Sequence, residues 1–241
     1  MSRQGKIPLQ KSMIKFLSIA DVISLTNAIF GFFAILFLIS DLICVELRLR
    51  VSFSFILLAL LADGLDGIVA RKTGKSDIGE YLESMADMTS LVIAPAVFIY
   101  AIYHDVVSGC IYYRSCLVVA LIVFLSSSII RLASFHIMKQ SKFFVGLPAS
   151  ASTIILLILA FLKIEFVYIL PVIIIISLAM VSNVRFPKPG YKVNGIAAIL
   201  ILLTLIMGKS YQGIAPLLLL TAILVYAIGG PIYTKFLAKR Q

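Results

Sequence analysis

Long apolar runs separated by short polar stretches divide the chain into eight segments: residues 18–39, 51–71, 84–104, 115–135, 147–163, 166–184, 194–208 and 214–234. Runs of about 17–25 residues with few charges have the length an α-helix needs to cross a bilayer. The strict alternation of a membrane β-barrel is absent. The pattern predicts an all-α fold, a polytopic membrane helix bundle of about eight spans, with the last four short or interrupted. Residues 1–17 form a basic segment with scattered apolar positions, readable as an interfacial amphipathic helix or as a plain basic tail. This start leads into a full-length span, unlike a cleaved signal peptide. No internal repeat, low-complexity tract or composition break divides residues 18–241, so one transmembrane domain is expected there.

One stretch breaks the apolar pattern. Residues 63–87 read DGLDGIVARKTGKSDIGEYLESMAD. On a helix Asp63, Asp66, Gly67 and Ala70 share one face, two carboxylates beside two positions with almost no side chain. Gly64 adds a third small residue, and small residues let another helix or a flat ligand approach the backbone. After the polar turn RKTGKSD, Glu83 and Asp87 lie one helical turn apart. A hairpin of two helices would gather all four carboxylates. An Asp at the bilayer centre costs roughly 2.5–3.5 kcal/mol on insertion scales, and four mutually repelling ones cost more than their sum. Arg71, Lys72 and Lys75 offset part of this. Two Mg²⁺ or Mn²⁺ ions would offset more and leave open positions for phosphate oxygens. The plainer alternative is a solvated acidic turn without a ligand.

The order D-x2-D-G-x2-A-R-x7-G-x3-acid-x3-D resembles the signature of the CDP-alcohol phosphatidyltransferases, matched at Asp63, Asp66, Gly67, Ala70, Arg71, Gly79 and Asp87. Glu83 departs from it, standing where the family has a third Asp, with the same ligand chemistry on a longer arm. The resemblance implies a six-span core, here with two further C-terminal spans, and a site on the cytoplasmic side. It implies a CDP-linked lipid whose diphosphate rests on two divalent ions held by Asp63, Asp66, Glu83 and Asp87. It implies Asp87 as the base that deprotonates an attacking alcohol, with CMP leaving, and Gly67, Ala70, Arg71 and Gly79 around the nucleotide. A homodimer is a further implication.

Three more segments resemble the serine-using branch of that family, the phosphatidylserine and archaetidylserine synthases: ISLTNAIFGFF in the first span, RLASFH followed by GLPASA, and VSNVRFPK. That branch usually reads RLARFN in the second, so Ser134 and His136 depart from it. Asn27 is then a nucleotide-pocket residue, with helix packing against Gly31 as its alternative. L-Serine is the expected acceptor. Its carboxylate requires a cation, and Arg131, Lys142 and Arg185 are the inner-side candidates. Glycerol phosphate and inositol phosphate are the rival acceptors, and a cation transporter with an acidic site is the rival of another class.

Composition agrees with the membrane reading: 241 residues, 61% apolar and 13% charged, with a mean hydropathy of +1.10. With eight spans and the N-terminus inside, 16 of the 21 Lys and Arg residues fall on the inner side, which predicts both termini in the cytoplasm of a cell-membrane protein. The net charge of +10 thus belongs to a surface facing anionic lipid heads. Without a basic–aromatic groove it is no argument for nucleic acid. Cys44, Cys110 and Cys116 lie near outer span ends, either as isolated thiols or with Cys110 and Cys116 paired. Pro95 is expected to kink the third span and to leave a carbonyl needing a partner.

Overall fold

The structure, a computed structural model, describes residues 17–74, 76–137, 143–208 and 210–238. The basic segment 1–17, apart from Leu17, and Lys142 therefore lie outside the described residues. Helices dominate: α1 (Ile19–Ile39), α2 (Val45–Thr73), α3 (Gly79–Asp87), a π-helical turn (Met88–Ile93), α4 (Ala94–Ser108), α5 (Ile111–Ile137), α6 (Ala149–Phe161), α7 (Phe166–Met180), α8 (Tyr191–Met207) and α9 (Ser210–Ala238). Two three-residue strands, β1 (Phe143–Val145) and β2 (Arg185–Pro187), pair antiparallel.

The helix ends follow from local chemistry. Ser18 and Asp21 form a reciprocal capping box that starts α1. Gly74 ends α2 at φ 85°, a conformation that suits glycine, and its N–H returns to the Ala70 carbonyl. Gly146 has φ 78°, and a Cβ there would run into the Met180 carbonyl oxygen. No other residue fits this turn into α6.

The eight expected spans are all present as helices. Five are long and apolar enough to cross a membrane: Ile19–Ile39, Val45–Lys72, Gly79–Ser108, Ile111–Ser134 and Gly213–Thr234. Ala149–Phe161, Phe166–Met180 and Tyr191–Met207 are apolar but shorter. The 13-residue α6 spans about 20 Å, less than a hydrocarbon core. It is buried on nearly every side, from Ala151 through Ile158 and again at Ala160 and Phe161. A helix buried on nearly every side belongs at the centre of a bundle. The core around it includes Phe53 stacked on Phe161 at 3.8 Å, together with Phe98, Ile99 and Ile169.

Span three is irregular in the turn before Pro95, where the proline removes a backbone bond. The π-helical turn precedes Pro95, which sits in the first turn of α4. Proline has no N–H to offer Leu91, four residues back. The Thr153 hydroxyl donates to that carbonyl instead. The partner required for the freed carbonyl thus comes from α6. Cys44, Cys110 and Cys116 are all unpaired thiols.

Candidate active site

Carboxylates from α2 and α3 converge beside α1, which packs against both helices. One carboxylate oxygen each from Asp63, Asp66 and Glu83 lie within 4.8 Å of one another. Asp63, Glu83 and Asp87 line one pocket, whose far wall includes Arg131, Phe144 and Pro148. Glu80 and Ser84 line it too; the motif spacing gives them no role.

Helix α1 holds two of these acids from behind. The Ser24 hydroxyl donates to Asp66 Oδ2 at 2.6 Å, and the Asn27 amide donates to Asp87 Oδ1 at 2.9 Å. Ser24, Asn27 and Asp66 are all buried, with Asn27 fully so. Asn27 Oδ1 finds no hydrogen-bond partner, a buried acceptor beside a cluster of acceptors. Gly31, one turn above Asn27, lets the Ser90 backbone come so close that a Cβ would lie 2.5 Å from Ser90 Cα. Asn27 thus bonds an acidic residue of the site, and its neighbour Gly31 packs α1 against the π-helical turn.

The glycines divide by environment. A Cβ at Gly64 would have no neighbour within 4 Å, and one at Gly67 only the tip of Arg71 at 3.9 Å, so this face of α2 is open. Gly79 is closed: a Cβ there would lie 2.8 Å from Asp21 Oδ1. Ala70 is buried, and the exposed Arg71 places its guanidinium 5.2 Å from the Tyr191 ring. Of the three expected serine-side cations, Arg131 is in the pocket wall, buried, donating from Nε to the Leu147 carbonyl at 3.3 Å. Arg185, at the start of β2, is exposed, its guanidinium 4.8 Å from the Phe143 ring.

The donor set is all oxygen, carboxylates joined by a neutral hydroxyl and amide. Such a set suits hard divalent cations such as Mg²⁺ or Mn²⁺ and offers nothing for zinc in a thiolate or imidazole site. Asp63, Asp66 and Glu83 thus form a group able to hold a metal ion.

Residues 17–207 match the family model described as CDP-alcohol phosphatidyltransferase. The chain belongs to the CDP-alcohol phosphatidyltransferase family. Like other members it is a multi-pass membrane protein, with five helices of spanning length and composition. It is similar to the CDP-diacylglycerol–serine O-phosphatidyltransferase of Methanocaldococcus jannaschii, 35% identical over 185 residues, covering 76% of this chain and 80% of that protein. The archaetidylserine synthase of Methanothermobacter thermautotrophicus is 32% identical over 185 residues, 74% of this chain and 73% of that one. A third relative, the CDP-diacylglycerol–serine O-phosphatidyltransferase of Saccharomyces cerevisiae, is 31% identical over 169 residues, 62% of this chain and 56% of its own. The family match covers both arms of the acidic hairpin and stops before α9.

Proposed function

We propose that this phosphatidyltransferase moves the lipid phosphate of a CDP-linked lipid onto the hydroxyl of L-serine and releases CMP. The observation that carries it is the convergence of Asp63, Asp66 and Glu83 beside a pocket lined by Asp63, Glu83, Asp87 and the buried Arg131. The relatives named for serine transfer support the acceptor. Residues 18–241 act as one domain in this reading.

Asp87 accepts the proton of the serine hydroxyl, and Asn27 holds its carboxylate in place from α1. The serine oxygen forms a bond to the phosphorus that carries the lipid. The bond from that phosphorus to the bridging oxygen breaks, and its electron pair leaves on CMP. Two Mg²⁺ or Mn²⁺ ions, held by Asp63, Asp66, Glu83 and Asp87, would supply charge neutralisation for the diphosphate and the departing CMP. Gly67 and the exposed Arg71 give the nucleotide an open helix face, the buried Ala70 adds a small residue one turn on, and Gly79 lets α3 close on α1 beside it. Arg131 meets the serine carboxylate, with Arg185 and Lys142 as the further cations on that side. The Lys and Arg asymmetry supports a cell-membrane protein with a cytoplasmic site and both termini inside. The family resemblance supports a homodimer.

The test is CMP release from CDP-diacylglycerol and from CDP-archaeol by the purified protein in detergent, with L-serine, glycerol 3-phosphate or inositol 1-phosphate, each with and without EDTA. Release with serine alone, lost on chelation and restored by Mg²⁺ or Mn²⁺, is the expected result. Release only with a phosphorylated alcohol would reject serine, and no release with any alcohol would reject the transferase.

A further inference from the structure

Helix α9 begins beyond the residues that match the family model, and its sequence reads as apolar scaffold. Its polar side chains nevertheless reach one strand. The Thr234 hydroxyl donates to the Arg185 carbonyl at 2.8 Å, and the Tyr226 hydroxyl donates to the Pro187 carbonyl at 3.1 Å. Between them, Gly230 admits the Pro187 ring: a Cβ at Gly230 would lie 2.9 Å from Pro187 Cδ. The Tyr226 ring also packs beside Phe186, centroids 6.2 Å apart.

That strand needs an outside hold. Among the described residues the ribbon has three residue pairs, Phe143 with Pro187, Phe144 with Phe186 and Val145 with Arg185. Two short strands are marginal by themselves, and Pro187 has no N–H for the ladder. Yet the ribbon forms one side of the pocket. Phe144 lines it, and the Arg131 guanidinium lies 6.0 Å from the Phe144 ring while bonding Leu147, two residues past β1. A chain of contacts therefore runs from α9 through β2 and β1 to the wall opposite the carboxylates.

We propose that α9 clamps the β1–β2 ribbon through Tyr226 and Thr234, making both positioning residues for the incoming alcohol. This rests on the serine-acceptor reading above, with Arg131 on the acceptor side. Neither hydroxyl touches the carboxylates, so the effect falls on one substrate only.

The experiment compares Tyr226→Phe, Thr234→Val and Gly230→Ala in the full-length protein in detergent. KM is measured for L-serine at saturating CDP-diacylglycerol, then for the lipid at saturating serine, with thermal melting alongside. Loss of one hydrogen bond corresponds to a rise of about fivefold in serine KM, with lipid KM within about twofold. Gly230→Ala, which keeps both hydroxyls but displaces Pro187, should give the same split. Combined with Arg131→Ala, Tyr226→Phe should add less than it does alone, because both act on one group. An unchanged serine KM in all three variants would overturn the clamp. So would an equal rise in both KM values with a lower melting temperature, the signature of a merely structural helix. Should wild-type protein use glycerol 3-phosphate and not serine, the acceptor reading falls, and the same split measured with that alcohol decides the clamp.

Discussion

Replacing Gly31 by alanine adds a single methyl group, yet it should disturb both helix α1 and the chemistry that Asn27, one turn away, supports. The new Cβ would lie 2.5 Å from Ser90 Cα, 2.7 Å from Ser90 Cβ and 2.9 Å from Ser90 N. Carbon atoms rest about 3.5–4.0 Å apart, and the obstacle is mostly backbone, so α1 must withdraw by about 1 Å. Overpacking of this kind costs about 1–3 kcal/mol. The same withdrawal stretches the bond from Asn27 to Asp87, now 2.9 Å, to about 3.9 Å, beyond hydrogen-bond reach. A 1 Å misplacement of a reacting group can cost about 100-fold in rate. Gly31→Ala should therefore lower the melting temperature and cut CMP release by about that factor. Gly195→Ala is the control, since a Cβ there has no neighbour within 4 Å, and it should match wild type in both measurements. Wild-type turnover in Gly31→Ala would refute the idea that α1 aligns Asp87, even if the melting temperature fell.

Asp87→Asn should abolish CMP release while leaving the protein inserted and folded by circular dichroism; turnover retained in that variant removes Asp87 as base. Glu83→Ala should lose metal-dependent activity and the protection against thermal melting that Mn²⁺ gives, whereas Glu83→Asp should keep much of both. Equal Mn²⁺ protection in Glu83→Ala and wild type would take this residue out of the ligand set. Arg131→Ala should raise the KM for serine by tenfold or more, as expected for losing a charge-assisted bond of about 1.5–3 kcal/mol, with little change in the KM for the CDP-lipid. Equal effects on the two substrates would remove Arg131 from serine binding.

The spans were legible because hydrocarbon imposes one requirement, apolar side chains over a fixed length, and the run from Ile19 to Ile39 writes it plainly. The acidic hairpin was legible because its carboxylates are local, within 25 residues joined by a polar turn, so helical spacing alone brings them together. The supports behind them were not. Ser24 meets Asp66 across 42 residues and Asn27 meets Asp87 across 60, and in a single sequence a serine in a span looks the same whether it bonds its own helix or another. The β1–β2 ribbon was hidden too, because three residues such as FFV are too short for alternation to show. The π-helical turn left only Pro95 as a sign, which marks a disturbed turn before it without saying that the turn is π-helical. Tyr226 and Thr234 lay within an apolar helix whose pattern gave no hint of a strand beside it.

The depth of Asp63 and Asp66 has a consequence for traffic. They stand nine and six residues before Lys72, where the apolar helix ends, about 14 and about 9 Å down the axis. With Lys72 at the water-side end of that span, Asp66 lies just beneath a head-group layer about 5–7 Å thick and Asp63 about one turn deeper. An amphiphile anchored by its tails offers its phosphates near that level without being lifted out, and a small alcohol arrives from water without entering oil. Reactants of opposite solubility can thus meet at the rim of the bundle, and the new amphiphile diffuses away sideways in the sheet from which its parent came.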